Sequence, residues 1–207
     1  MRIEIEERET AIHLVNVLVE KGICNARNGS SMEDLFFSEL YKVGFNMSSG
    51  MTKACFTHEE LGDWVIKVGF TGSLSEDYAR VEYENYKAAV SCGLDWYFPF
   101  TDFLCEIDGM EFFIQESAEC CEDAITSNWY DLISALYEES GRDLGEIEID
   151  IWDEVYELED ADKIDLMFND MALSSFLREH RIGDLHEGNF GFIGDRTVII
   201  DFSGYHG

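Results

Sequence analysis

Between residues 41 and 118 the apolar residues come in short runs broken by glycine and polar residues, a texture that commits this part of the chain to an antiparallel sheet. Runs at Tyr41–Phe45, Thr52–Phe56 and Trp64–Phe70 predict three strands of a meander. Two more are predicted near Phe100–Ile107 and Glu111–Gln115, with Asp108-Gly109 supplying the turn chemistry of a tight hairpin. Between the third and fourth runs lies SEDYARVEYENYKAAVS, residues 75–91, which reads as a helix with Ser75 as N-cap and acids in its first turn. The expectation is a five-stranded antiparallel sheet with one helix inserted after its third strand.

The flanks read differently. Residues 10–21 have helical apolar spacing, with Ile12, Val15 and Val19 on one side, and a second helix or turn is predicted over Met32–Tyr41. In the second half, helices are expected over 121–139 and 163–180. The stretch 140–162 is acidic, yet it carries Ile147, Ile149, Ile151, Trp152, Val155, Tyr156 and Leu158. A solvated acidic tail has no need of these, so the stretch reads as a folded insertion with one buried face. Two β-like pieces, Phe190–Ile193 and Thr197–Asp201, follow. The fold class is α+β. With a single proline, Pro99, and no Pro/Ser/Gly-rich linker, residues 1–207 are expected to form one unit: a helical extension over 1–40, a sheet-bearing part over 41–118 and a mainly helical part over 119–207.

Charge narrows the partners. The 207 residues carry 44 Asp+Glu against 14 Lys+Arg, a formal −30. Such a field repels phosphates, which argues against direct nucleic-acid or membrane binding and for a basic protein or cationic small molecule. The same acidity also serves solubility alone. None of the six cysteines forms a CxxC pair, the five histidines make no zinc motif, and MRIEIEERET has neither the basic nor the apolar region of a signal peptide. Free thiols in a cytoplasmic setting are the expectation. No heptad or other self-association pattern bears on the oligomeric state.

Chemistry concentrates in GDLHEGNFGFIGDRTVIIDFSG, residues 183–204. Asp184 precedes Asn189 by five residues, and Asp201 follows a β-branched strand and precedes Phe202-Ser203-Gly204. An acid able to orient a hydroxyl, together with two oxygen ligands for a hard cation, is what phosphoryl transfer from Mg²⁺–ATP requires. The stretch resembles the protein-kinase-like superfamily. Protein kinases carry H-R-D-L-x-x-x-N followed by D-F-G. The small-molecule phosphotransferases of the aminoglycoside and choline type carry G-D-x-H-x-x-N, which Gly183-Asp184-Leu185-His186 follows more closely. Upstream, Val65-Ile66-Lys67 resembles V-A-I-K.

The resemblance spans about residues 40–118 and 163–207. It implies a kinase-like two-lobe fold with a reduced C-lobe, and ATP and Mg²⁺ as cofactors. Asp184 would orient the acceptor hydroxyl, with His186 as a helper near the γ-phosphate or as a structural imidazole. Lys67 would contact the phosphates. A helical Glu would hold that lysine, and Glu82 fits better than Glu84. Asn189 and Asp201 would hold Mg²⁺. Ser48, Ser49 and Gly50, in the turn Gly44–Gly50, stand where the family has its Gly-rich phosphate loop, with only two glycines. The backbones of Glu116 and Ala118 fall at the adenine-binding hinge.

The chain departs from protein kinases in two ways. Ile182-Gly183 replaces the His-Arg before the catalytic aspartate, which argues against control through a phosphorylated activation loop. The sequence also ends six residues past Asp201, which implies a core without a peptide platform. Three functions follow as expectations: a phosphotransferase acting on a hydroxyl of a basic protein or cationic small molecule; a catalytically inactive acidic binder that sequesters a basic, nucleic-acid-binding partner; or a nucleotide site that only stabilises the fold.

Overall fold

In the computed structural model the described residues are 3–23, 39–49, 52–69, 77–120, 171–182, 189–194 and 196–203. The expected helix over 121–139, the acidic insertion 140–162, Ser75 and most of Met32–Tyr41 lie outside them. The chain divides into two compact units, residues 1–86 with 100–117, and residues 87–99 with 118–207.

The first unit holds helix α1 (Ile5–Glu20) and a five-stranded antiparallel sheet of β1 (Asn46–Ser49), β2 (Lys53–Thr57), β3 (Trp64–Gly69), β4 (Thr101–Ile107) and β5 (Met110–Glu116), ordered β1-β2-β3-β5-β4. The β4–β5 turn has positive φ at both Asp108 (53°) and Gly109 (73°), the conformation that Asp-Gly tolerates and that matches strand twist.

Register sorts the side chains onto two faces, because directly paired residues share a face and neighbours along a strand alternate. Ala54, Phe56, Ile66, Val68, Phe112 and Ile114 take one face. With Ala11, Leu14, Val15 and Leu18 of α1 they form a single buried cluster. Each aliphatic side chain buried there contributes on the order of 1.5–3 kcal/mol. Arg8 ties α1 to β4 through Asp102 at 2.8 Å.

The opposite face carries Lys53, Cys55, Lys67, Phe113 and Gln115. Helix α2 (Tyr78–Cys92) supplies it with Tyr83, whose ring lies 5.5 Å from that of Phe113. The cap of α2 is Asp77, whose carboxylate accepts from the amides of Ala79 (3.0 Å) and Arg80 (3.2 Å). A Cβ on Gly69 would lie 2.0 Å from that same carboxylate oxygen, so β3 ends on the residue that leaves room for the cap.

One predicted strand is a different element. Residues 39–42 are helical, and Tyr41–Phe45 closes that helix. The Phe45 amide donates to Leu40 O and the Gly44 amide to Tyr41 O, the paired bonds of a Schellman end, with Gly44 at φ +90°. The strand begins only at Asn46. A Cβ on Gly44 would sit 2.6 Å from His58 Nε2, so this glycine serves packing and turn geometry.

The second unit contains the short sheet β6 (Glu119–Cys120), β7 (Phe190–Ile193) and β8 (Arg196–Ile199), ordered β6-β7-β8, and helix α3 (Met171–Glu179). The sequence reading lacked β6. A Cβ on Gly191 would come within 2.8 Å of Glu119 O, which is why β6 can approach β7. Phe98 packs against Phe176 (5.6 Å) and Phe202 (4.9 Å). Among the described residues no helix is long and apolar enough to cross a membrane.

Candidate functional site

The face of the first sheet opposite α1 carries a buried polar cluster. Lys67 is the residue of β3 paired directly with Cys55, and Lys53 lies two residues before Cys55 on β2, so both lysines project from one face. Above them runs the buried stripe of α2: Tyr78, Ala79, Glu82, Asn85, Tyr86 and Ala89. That spacing is helical and places Glu82 inward, while Glu84 falls on the exposed side beside Arg80 at 3.5 Å.

Glu82 is 1% exposed and accepts three N–H groups. Lys67 Nζ donates to Oε1 at 2.6 Å, Gln115 Nε2 to Oε1 at 2.9 Å, and Lys53 Nζ to Oε2 at 2.8 Å. Gln115 also donates to Thr101 Oγ1 at 3.0 Å, from the neighbouring strand. Burying charge is tolerable only when the charges meet partners and the remaining polar atoms are hydrogen-bonded. Glu82 meets that condition through residues of β2, β3 and β5. Of the residues singled out in the sequence, the fold thus brings Lys67 and Glu82 together.

A second grouping lies in the other unit, at one end of the β7–β8 hairpin. Register pairs Phe190 with Ile199, and the Ile200 amide donates to Asn189 O at 2.8 Å. The hairpin therefore sets Asn189 diagonally from Asp201. Asn189 is buried, and Asp201 Oδ1 accepts from the Ser203 hydroxyl at 3.1 Å and the Ser203 amide at 3.5 Å. These contacts fix the carboxylate's orientation. Among the described residues no three His, Cys, Asp or Glu side chains gather as a metal-ligand set. The amide and carboxylate oxygens of Asn189 and Asp201 are nonetheless of the hard type that Mg²⁺ takes alongside phosphate and water. The two lysine ammoniums suit phosphate oxygens.

Ser48 and Ser49 lie within β1, paired with Cys55 and Ala54, so they belong to the ladder and not to a turn. Ser48 shares the face of Lys67. Gly50 lies outside the described residues, as do Asp184 and His186. Glu116 ends β5. Its amide donates to Phe100 O at 2.9 Å and its buried carboxylate accepts from the Phe100 amide at 3.3 Å, so the N–H serves the sheet. Ala118 sits between β5 and β6.

Sequence reasoning missed Lys53, Gln115 and Thr101. A lysine opening a short strand ordinarily reads as an outward charge. Only the register, which puts it on the face that α2 covers, marks it as part of the cluster. No family model and no curated protein matches the chain.

Proposed function

We propose that the chain is an ATP- and Mg²⁺-dependent phosphotransferase with a kinase-like two-lobe organisation, acting on a hydroxyl of a basic protein or cationic small molecule. The observation that carries this reading is the Lys67–Glu82 pair, 2.6 Å apart and buried between the third strand of an antiparallel sheet and the helix that follows it. A strand lysine fixed by a helical glutamate is the device by which such enzymes hold nucleotide phosphates. The juxtaposition of Asn189 and Asp201 on one hairpin, and the order of these residues in the chain, support the same reading.

Mg²⁺–ATP supplies the phosphoryl group and the charge neutralisation when bound. Lys67 would hold phosphate oxygens with Glu82 keeping its ammonium in place, and Asn189 and Asp201 would offer oxygen ligands to the metal. Asp184 would take the acceptor hydroxyl's proton as that oxygen accepts the phosphoryl group, with ADP as the leaving group. Positioning and electrostatics carry such a reaction, with little covalent work for the protein. The −30 charge favours a basic acceptor.

The test is transfer of labelled phosphate from ATP to polycationic proteins and to polyamine alcohols. The natural chain is expected to label one class, and Asp184→Ala to abolish labelling. The same charge also supports a second reading, a non-catalytic binder of a basic protein. Under that reading Asp184→Ala leaves partner capture unchanged and no acceptor is labelled.

A further inference from the structure

We propose that Lys53 is a second phosphate-binding cation, so that the site grips a polyphosphate through two lysines on adjacent strands. The inference rests on the phosphotransferase reading for its nucleotide, but it concerns the polyphosphate part of the ligand alone.

Three observations carry it. First, Lys53 and Lys67 each donate to a different oxygen of the one Glu82 carboxylate, at 2.8 and 2.6 Å, which brings two ammonium groups within the span of a single acid. Second, all three residues are buried, Lys53 at 7%, Lys67 at 8% and Glu82 at 1% exposure. A lysine needed only for solubility would sit in water. Third, register places both lysines on one face of β2 and β3, Lys53 opposite Gly69 and Lys67 opposite Cys55, so the two side chains leave the sheet on the same side.

Two cations converging on one carboxylate match a ligand that carries negative charge on neighbouring groups. Adjacent phosphates of a polyphosphate do so. Glu82 then acts as the common anchor that holds both ammoniums at fixed positions before the ligand arrives, which lowers the ordering cost of binding. Lys53→Arg would keep the charge but not the compact ammonium geometry, so Lys53→Gln is the cleaner probe: it retains a donor for Glu82 and removes the charge.

The experiment titrates tripolyphosphate, ATP and adenosine, without Mg²⁺, into the natural chain and into Lys53→Gln and Lys67→Gln. Each variant is expected to weaken tripolyphosphate and ATP by about tenfold or more, the loss of one charge-assisted hydrogen bond, and to leave adenosine unchanged. Unchanged tripolyphosphate binding in Lys53→Gln overturns the proposal and leaves the nucleotide reading standing. Equal weakening of adenosine also overturns it, since a purely structural Lys53 acts on every ligand alike. A natural chain that binds tripolyphosphate but not ATP keeps the two-lysine site and removes the nucleotide reading. Binding of neither removes both. If Lys53→Gln does not fold, prolonged acetylation of the natural chain with and without tripolyphosphate decides the matter. Protection of both lysines supports the proposal, and protection of Lys67 alone refutes it.

Discussion

Replacing Glu82 by glutamine preserves the shape of the side chain and removes the charge on which the polar cluster depends. The carboxylate accepts from Lys67 and Gln115 on one oxygen and from Lys53 on the other. An amide has only one acceptor oxygen. If that oxygen faces Lys67 and Gln115, its NH₂ group opposes the Lys53 ammonium; if it is turned around, two donors oppose it. Either way both lysines lose their shared counter-charge in a buried setting, and breaking a buried pair costs about 3–5 kcal/mol. Against a total stability of roughly 5–15 kcal/mol that is a large fraction. With a urea m-value of about 2 kcal/mol/M the midpoint falls by about 2 M. Amide exchange along β3 reports the loss directly in the unit that holds the cluster. Two controls sharpen the result. Glu84→Gln, which pairs with Arg80 at 3.5 Å on the exposed side of α2, should shift stability by less than about 0.5 kcal/mol. The triple variant Lys53→Met, Glu82→Leu, Lys67→Met should recover much of the loss, because the cluster then buries no charge of its own. A Glu82→Gln protein within about 0.5 kcal/mol of the natural chain would refute the argument. So would a triple variant less stable than Glu82→Gln alone.

Other consequences follow from single side chains. Thr197 Oγ1 is buried with no hydrogen-bond partner among the described residues, so Thr197→Val, which swaps the hydroxyl for a methyl, should raise stability by about 1 kcal/mol in denaturant unfolding. Cys105 is half-buried and burial pushes its thiol pKa up, with the Arg8 charge opposing. Alkylation at mildly alkaline pH should therefore mark the exposed Cys92 well before Cys105. The folded pKa lies above the unfolded one, so the contribution of Cys105 to stability is complete below the ordinary thiol range and is lost as pH rises through the raised value. Cys105→Ser should flatten that alkaline decline.

The sheet was legible because its signals are local. Asp-Gly fixed the β4–β5 hairpin, and the buried runs around Ile66 and Ile114 read as strands through composition alone. Glu82 could be preferred to Glu84 by alignment of the helix, and the structure gives the physical distinction: one lies on the buried stripe and the other in water. The failures come from interactions that skip along the chain. Tyr41–Phe45 looks like a strand until the Phe45-to-Leu40 bond and the positive φ of Gly44 turn it into a helix end. The two residues of β6 carry no periodicity, and they become a strand only because β7 offers an edge and Gly191 a gap. Lys53 joins Lys67 through register between β2 and β3, a property of the pair and of neither strand alone. The aspartate cap of α2 shows the same limit, since what marks Asp77 as the cap is its contacts with the Ala79 and Arg80 amides.

The nucleotide site is tested by calorimetric titration of ATP, with and without Mg²⁺, into the natural chain and into Asp201→Asn. Mg²⁺ is expected to tighten ATP binding to the natural chain and no longer to do so once the Asp201 carboxylate is replaced. Absence of binding at millimolar ATP, or an Mg²⁺ effect that survives in Asp201→Asn, would contradict it.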